Sequence, residues 1–244
     1  MNWNDNIASA LLGVFFSQVP YLYKKTRTSI NLPALRKFWS FLSEETHIFL
    51  SVTTNDNTTD AFGSYRDMLA ASKILIAASE YFGTTQNIKM HDNYEDYNSV
   101  RTNNLVILGG GKYNLAYRDI INCINPPLHY FDFDSTGDVA DRKNIKNSQN
   151  SVIYSPEYDD SGNLQSDLGL IIRAQNPHNK TKQVVIAAGG HAWGTLASVD
   201  FLLDPSSVKI LKNYLAQNLE IAIRAHVSGN AVKSHQRLSE VLTW

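Results

Sequence analysis

The stretch VVIAAGGHAWGTLASVDFL, residues 184–202, decides how this chain is interpreted. It opens with a continuous apolar run, which is typical of a parallel strand covered on both faces. Three glycines, His191 and Trp193 then separate the run from a helical pattern. Glycine at such a junction permits a tight turn and lets backbone N–H groups approach a ligand without a Cβ in between. The stretch therefore predicts a strand, a glycine turn that holds a ligand, and a helix.

A second junction of the same kind occupies NNLVILGGGKYNLAYRDIINCI, residues 103–124. Strand and helix patterns alternate along most of the chain, as in α/β proteins. We predict a Rossmann-like, mostly parallel, doubly wound sheet over residues 46–244, preceded by a helical appendage over residues 1–45. A hairpin turning at Gly229-Asn230 is expected to add an antiparallel pair at one edge of this sheet.

The composition excludes several classes of protein. A hydrophobic content of 43% fits a folded domain, and a net charge of −1 provides no basic surface for nucleic acid. Cys123 is the only cysteine, so an internal disulfide is impossible and a cytoplasmic location is expected. With no Cys pair, HExxH or HxH pattern, we predict neither a metal site nor a cofactor. Cys123 itself lies on the apolar side of a predicted helix, which favours a buried structural thiol.

The segment over residues 6–23 is hydrophobic but short for a membrane span, and Gly13 and Pro20 interrupt it. Two interpretations stay open. The segment is either a helix that docks on a protein partner or on a second copy, giving a homo-oligomer, or a membrane-associated anchor. Lys24 and Lys25 follow it directly and would hold the next domain on the cytoplasmic side of a membrane.

Ligands of open α/β sheets bind beyond the carboxyl ends of the strands, where the next helix presents unpaired N–H groups and its positive dipole end. The two glycine junctions place eight candidate ligand-binding residues there: Gly109, Gly110, Gly111, Asn114, Gly189, Gly190, Gly194 and Thr195.

Other polar residues are assigned to the same rim. Arg173 ends an apolar strand, and its guanidinium suits a phosphate, although an ion pair with Asp167 is an equal alternative. Asn176 follows three residues later and is included in the site. His191 is the candidate catalytic acid or base, with a hydrogen bond to a loop carbonyl as the alternative role. Trp193 is expected either to stack on a ligand ring or to pack beneath the turn.

Three blocks carry a resemblance to known proteins: ILGGGKYN (107–114), DLGLIIRAQNPHN (167–179) and AAGGHAWGTLASV (187–199). They resemble blocks that occur in the same order, after a short hydrophobic segment, in an uncharacterised group of bacterial proteins. More loosely, the two glycine junctions look like those of the SLOG (LOG/DprA-like) superfamily of Rossmann-like nucleotide-binding domains. That superfamily includes phosphoribohydrolases of the LOG type and sensors of nucleotide-derived signals. The glutamate that these hydrolases carry after Gly-Thr is absent here, where Leu196, Ala197 and Ser198 follow.

Three hypotheses follow for function. The first is a sensor or signalling module that binds a nucleotide or nucleotide-derived anion at the glycine turns. The second is a hydrolase of similar fold that cleaves an N-glycosidic or phosphoester bond, with His191 as acid or base. The third is a scaffold without catalysis that assembles through its N-terminal helix.

Overall fold

The computed structural model of this protein describes residues 32–51, 61–91, 96–111, 114–124, 131–133, 143–229 and 231–244. The predictions for residues 6–23 lie outside these ranges. Within them, no helix combines the length and the apolar character needed to cross a membrane.

The helices are α1 (Leu32–Phe38), α2 (Ala61–Phe82), α3 (Tyr97–Val100), α4 (Leu115–Cys123), α5 (Ala192–Leu203) and α6 (Pro205–Leu211). The first strands are β1 (Thr46–Phe49), β2 (Ile88–His91), β3 (Asn104–Leu108), β4 (Phe131–Phe133), β5 (Ile145–Asn147) and β6 (Ile153–Tyr154). The later strands are β7 (Glu157–Tyr158), β8 (Leu164–Asn176), β9 (Asn179–Gly189), β10 (Leu219–Ser228), β11 (Ala231–Arg237) and β12 (Leu242–Thr243). Short 3-10 turns occupy Ser40–Ser43 and Lys212–Tyr214.

The protein is an α/β protein with a mixed nine-stranded sheet, whose main path is β11-β10-β8-β9-β3-β1-β2. Strands β2, β1, β3 and β9 pair in parallel. Strand β8 runs antiparallel to β7, β9 and β10, and β10 runs antiparallel to β11 and β12. Six of the nine strands (β1, β2, β3, β7, β9 and β10) thus share one direction. A separate three-stranded sheet has the order β4-β5-β6.

The parallel strands are the ones that the apolar runs predict. All five residues of β3 are buried, and so are the consecutive residues 184–188 of β9. Strand β3 lies between β1 and β9, and helices cover both faces of the sheet there. The side chains on either face of β3 are therefore shielded from water. The two predicted strand–glycine–helix junctions are confirmed as β3–α4 and β9–α5.

The antiparallel half is only partly predicted by the sequence. The C-terminal hairpin is confirmed, because β10 and β11 pair antiparallel across Gly229. The sequence DDSG, residues 159–162, also predicts a turn between two strands. This turn is confirmed before β8, since Gly162 has a φ of +80° and its N–H donates to the Asp159 carbonyl. The β8–β9 hairpin is an addition to the predicted fold, and it reverses the direction expected for the strand that carries Arg173.

Hydrophobic cores lie on both faces of the sheet. One core includes α1, α2, α5 and α6, and the other includes α3, α4 and side chains from the small sheet. Leu35, Phe38, Trp39 and Leu42 lie on one face of the chain, as their spacing predicts, and each is at most 1% exposed. The indole N–H of Trp39 donates to the Leu202 carbonyl at 3.2 Å. Residues 32–43 of the predicted appendage therefore belong to the main core.

Two local predictions are wrong. The stretch SYRDMLAASKILIAASEYFG, residues 64–83, predicts a helix with Ser64 as its N-cap and Gly83 as its stop. Helix α2 instead begins at Ala61, so Ser64 lies inside it, although Gly83, with a φ of +74°, does follow its last residue. Cys123 is exposed, because it is the last residue of α4 and the helix turns its buried face away from it.

The chain leaves the neighbouring strands β1 and β3 in opposite directions along the sheet. The chain leaves β1 through α2 to reach β2 on one side, and leaves β3 through α4 toward the other side. Ligands of open α/β sheets bind at such a switch point, beyond the carboxyl ends of the strands. We call the end of the sheet formed by the carboxyl ends of β1, β3 and β9 the carboxyl edge.

Candidate functional site

The two glycine turns lie side by side at the carboxyl edge. Leu108 pairs with Ala187, and the N–H of Gly109 donates to the Ala187 carbonyl at 3.0 Å. Gly109 has a φ of +90°, a conformation that residues with a Cβ rarely adopt. The sequence prediction that both turns meet at one edge is therefore confirmed.

Asn114 fixes the first turn. It is 3% exposed and caps α4, because its side-chain oxygen accepts from the Tyr117 N–H at 3.2 Å. Its amide also donates to the carbonyls of Leu108, at 2.8 Å, and of Phe49, at 3.2 Å. These bonds use the side chain within the fold, so Asn114 positions the turn and does not face a ligand. Gly111 accepts a hydrogen bond from the Arg118 side chain, and Gly110 and Gly111 are partly exposed.

At the second turn, glycine permits close packing of backbones. A Cβ on Gly194 would collide with the Leu168 carbonyl of β8 and lie 2.9 Å from Gly189 Cα. A Cβ on Gly190 would lie 2.5 Å from the Lys143 carbonyl. Thr195 is 1% exposed inside the first turns of α5, where its hydroxyl cannot contact a surface ligand. These residues bring α5 against the sheet.

The N-terminus of α5 holds a carboxylate from within the chain. Asp167 of β8 is fully buried, and its oxygens accept from the His191 N–H at 3.1 Å and from the Gly194 N–H at 2.5 Å. The Gly190 N–H is used as well, since it donates to the Leu168 carbonyl at 2.9 Å. A carboxylate is well placed at the positive end of a helix dipole. The expected phosphate site on these amides is therefore already filled by Asp167.

Asp167 also orients the predicted catalytic histidine. His191 Nδ1 lies 3.0 Å from Asp167 Oδ1, and His191 Nε2 lies 3.1 Å from the hydroxyl of Tyr158. The His191 side chain is 24% exposed, whereas that of Asp167 is 0% exposed. A carboxylate only accepts hydrogen bonds, so Nδ1 carries the proton and Nε2 is the free base of the neutral ring. Burial, followed by the charge of Asp167, raises the pKa of Tyr158, which keeps the phenol a hydrogen-bond donor toward Nε2.

A cation stands beside this pair. The Arg66 guanidinium lies 3.6 Å from the centroid of the Trp193 ring, in the geometry of a cation–π contact. Burial lowers the pKa of Arg66, and the negative charge of Asp167 acts against that shift. Trp193 also packs against the core, so the predicted packing role is observed for this ring. Helices α2 and α5, which carry these two side chains, pack against each other.

A second buried acid lies at the first glycine turn. Asp67 is 2% exposed, and burial raises its pKa to about 7, against hydrogen bonds from Ser51 that favour the ionised form. Its Oδ1 has no hydrogen-bond partner among the described residues. A Cβ on Gly109 would lie 3.1 Å from Asp67 Oδ2, so glycine leaves room for this carboxyl. Acids with raised pKa values at such a position are candidates for proton transfer.

The interpretation that Arg173 and Asn176 lie at the same rim is wrong. Gly169 pairs with Gly189 at the carboxyl edge, and β8 runs away from it, which places Asn176 about 23 Å along the strand. Arg173 is 8% exposed, donates to the Leu215 carbonyl at 3.1 Å, and lies 5.5 Å from the Phe38 ring. No ion pair of Arg173 with Asp167 forms within the described part of the chain. Asn176 is fully buried and holds the hairpin by donating to the Arg101 and Asn103 carbonyls.

The structure adds Asp167, Tyr158, Arg66 and Asp67 to the residues expected at this edge. From the sequence, Asp167 was considered only as an ion-pair partner for Arg173. The feature that could have singled it out is its position, as a polar residue directly before an apolar run. Arg66 and Asp67 carry no local signal, because a charged pair near the start of an amphipathic helix usually faces solvent.

The comparisons with known proteins give no further assignment. No protein-family model matches the chain, and no curated protein matches its sequence.

Proposed function

We propose that this protein is a Rossmann-like enzyme that transfers a proton to or from a small molecule bound at the carboxyl edge, with His191 as the acid or base. The observation that carries the proposal is the contact of His191 Nδ1 with the buried carboxylate of Asp167, at 3.0 Å. This contact orients the ring and leaves Nε2 facing the half-exposed Tyr158.

The environment of Asp167 supports a catalytic role for the pair. The carboxylate accepts three backbone N–H groups, from Leu168, His191 and Gly194, which fix its orientation toward the imidazole. An ionised carboxylate at Nδ1 stabilises the imidazolium that forms when Nε2 takes a proton. General acid–base catalysis by a group placed in this way contributes roughly 10²–10⁴-fold to a rate.

We propose a nucleotide-derived anion as the substrate, as the loose resemblance to nucleotide-binding domains implies. The His191 and Gly194 amides are occupied by Asp167, so the anionic group would be bound by Arg66, whose charge lies near the same edge. In the reaction, His191 Nε2 removes a proton from water while the water oxygen attacks the sugar or phosphorus centre. The bond to the leaving group breaks, and the leaving group receives the proton from the imidazolium.

A sensor that binds the same ligand without turnover is a second candidate. One observation favours it: the Tyr158 hydroxyl already contacts Nε2 at 3.1 Å, in the position that a substrate proton would take. For catalysis, Tyr158 has to move aside or relay the proton. A sensor needs neither.

The test uses a panel of nucleoside monophosphates, cyclic nucleotides and dinucleotides. Binding is measured by thermal shift, and product formation by chromatography. The enzyme predicts binding and turnover in the wild-type chain, with turnover reduced at least about 100-fold in His191→Gln and binding retained. Binding with no product in either chain supports the sensor. Neither binding nor product across the panel contradicts both, and an exposed control, His226→Gln, should match the wild-type chain throughout.

A further inference from the structure

A second group of chemically active side chains lies far from the carboxyl edge. Asp119, Cys123 and His178 offer ligand atoms that all lie within 4.8 Å of one another. Asp119 and Cys123 are four residues apart on α4, which puts them on one helix face. His178 comes from the turn that joins β8 to β9. We call these three residues the Asp119–Cys123–His178 cluster.

We propose that this cluster binds a divalent transition-metal ion of the Zn²⁺ type. One thiolate sulfur, one imidazole nitrogen and one carboxylate oxygen form a donor set that Zn²⁺ prefers, and three protein ligands leave a fourth tetrahedral position for water. Hard cations such as Ca²⁺ and Mg²⁺ take oxygen ligands and are not suited to this set. The thiolate and the carboxylate together carry two negative charges, which balance the charge of the ion.

The imidazole and the carboxylate are already close to the separation of two metal-bound ligands, whereas the Cys123 sulfur, which lies within 4.8 Å of both, would have to stand about 3.5 Å from each. His178 Nε2 lies 2.7 Å from Asp119 Oδ2, joined by a hydrogen bond. At bond lengths of about 2.0 Å from a tetrahedral ion, two such ligand atoms would stand about 3.3 Å apart. The ion therefore replaces the shared proton, and the two atoms separate by about 0.6 Å.

Supporting contacts hold two of the ligands in place. The Tyr97 hydroxyl donates to Asp119 Oδ2 at 2.7 Å, and Tyr97 is fully buried. The backbone N–H of His178 donates to Asn176 Oδ1 at 2.9 Å, which fixes the turn that presents the ring. Contacts of this kind to ligating groups are regular features of metal sites, and their loss costs roughly 10–100-fold in affinity.

Protonation controls when the cluster can bind. A metal ion is held by a thiolate, a carboxylate and a neutral imidazole, which are the deprotonated forms of Cys123, Asp119 and His178. Binding therefore releases protons, and the affinity should rise with pH.

The cluster is separate from the proposed active centre. The β8–β9 turn lies at one end of β9 and His191 follows the other end, which separates them by about 30 Å along the strand. A bound ion would join α4 to the hairpin and stabilise the folded chain by mass action. The inference is independent of the proposed function, since none of its residues belongs to the carboxyl edge.

The chain has only one cysteine, which makes a cobalt titration decisive. Metal-free, reduced full-length protein is titrated with Co²⁺ and followed by absorption, and Zn²⁺ is then added to displace the cobalt. We expect a thiolate-to-cobalt charge-transfer band and visible bands of tetrahedral Co²⁺, saturating at one ion per chain. Cys123→Ser should lose the charge-transfer band, and His178→Gln should weaken binding at least about tenfold. Exposed His226→Gln should behave as the wild-type chain does.

Each other outcome overturns the proposal. The absence of a charge-transfer band in the wild-type chain means that Cys123 is not a ligand, and a band that saturates at one ion for two chains places the metal between molecules. Unchanged Co²⁺ affinity in His178→Gln assigns the metal to other ligands. Far-ultraviolet circular dichroism and the melting temperature of each variant, recorded without metal, establish that the losses are not due to unfolding.

Discussion

The carboxylate of Asp167 lies 3.0 Å from His191 Nδ1 and 2.5 Å from the Gly194 N–H, so one buried side chain both orients the imidazole and caps helix α5. The two residues come from neighbouring elements, β8 and the turn after β9. The stability of the carboxyl edge and the orientation of its base therefore depend on the same group.

Asp167→Asn should destabilise the protein by about 3 kcal/mol. The substituted amide can accept with only one atom, and its NH₂ group would face a backbone N–H of His191 or Gly194. Urea denaturation measures the change in the free energy of unfolding. Asp160→Asn, at an exposed turn position, is the matched control and should change it by less than about 0.5 kcal/mol. Equal stabilities for the two variants would contradict the capping role.

Gly194→Ala should cost more than Gly229→Ala. The added Cβ at position 194 collides with the Leu168 carbonyl, and overpacking of this kind costs about 1–3 kcal/mol or more. Gly229 has a φ of +58° but open space around it, so the cost there is about 1 kcal/mol of backbone strain. Melting temperatures of the two variants rank the effects. The reverse order would show that α5 does not pack this closely on β8.

The parallel strands were the part of the fold that the sequence predicted best. Residues 105–108 and 184–187 are continuous apolar runs because both faces of β3 and β9 are covered. A fully buried antiparallel strand has the same composition, so β8 could not be distinguished from a parallel one. The tight turn between Asn176 and Asn179 was not recognised, and the direction of β8 and the position of Arg173 were consequently wrong.

The carboxylate at the N-terminus of α5 could not be predicted from the sequence either, because it depends on the same strand pairing. Glycines before a helix predict an anion, and the anion is present, but it is Asp167 of the adjacent strand. Only the pairing of Gly169 with Gly189 brings that side chain to the turn. His191, by contrast, could be singled out from its place in the glycine turn alone.

Arg66→Met should weaken ligand binding, whereas Arg173→Met should leave it unchanged. Arg66 lies at the carboxyl edge beside Trp193, and loss of a charge-assisted hydrogen bond of about 1.5–3 kcal/mol weakens binding about 10- to 150-fold. Arg173 lies about 13 Å along β8 from Gly169, so its replacement should leave the affinity within about twofold. Calorimetry with a nucleotide that shifts the melting temperature measures both. A large loss in Arg173→Met alone would contradict the placement of the site.

Asp67→Asn should stabilise the protein at neutral pH and not in acid. The pKa of Asp67 is raised from 3.8 to about 7 by burial, so the folded chain holds a proton that the unfolded chain releases. Wild-type stability therefore falls as the pH rises from about 4 to 7, by up to about 4 kcal/mol. The variant avoids this loss, and its advantage should grow over the same interval. Denaturation curves at pH 4 and 8 test this, and a difference that is independent of pH would contradict it.

Proton transfer by His191 requires an unprotonated Nε2 at the carboxyl edge, with the proton of the ring held on Nδ1 by Asp167. Nitrogen NMR of ¹⁵N-histidine-labelled protein, with the His191 signals assigned by their loss in His191→Gln, measures the tautomer directly. At a pH where the ring is neutral, we expect a protonated Nδ1 hydrogen-bonded to Asp167 and a basic Nε2. A protonated Nε2 would leave His191 without a base directed toward a ligand and would contradict the proposed enzyme.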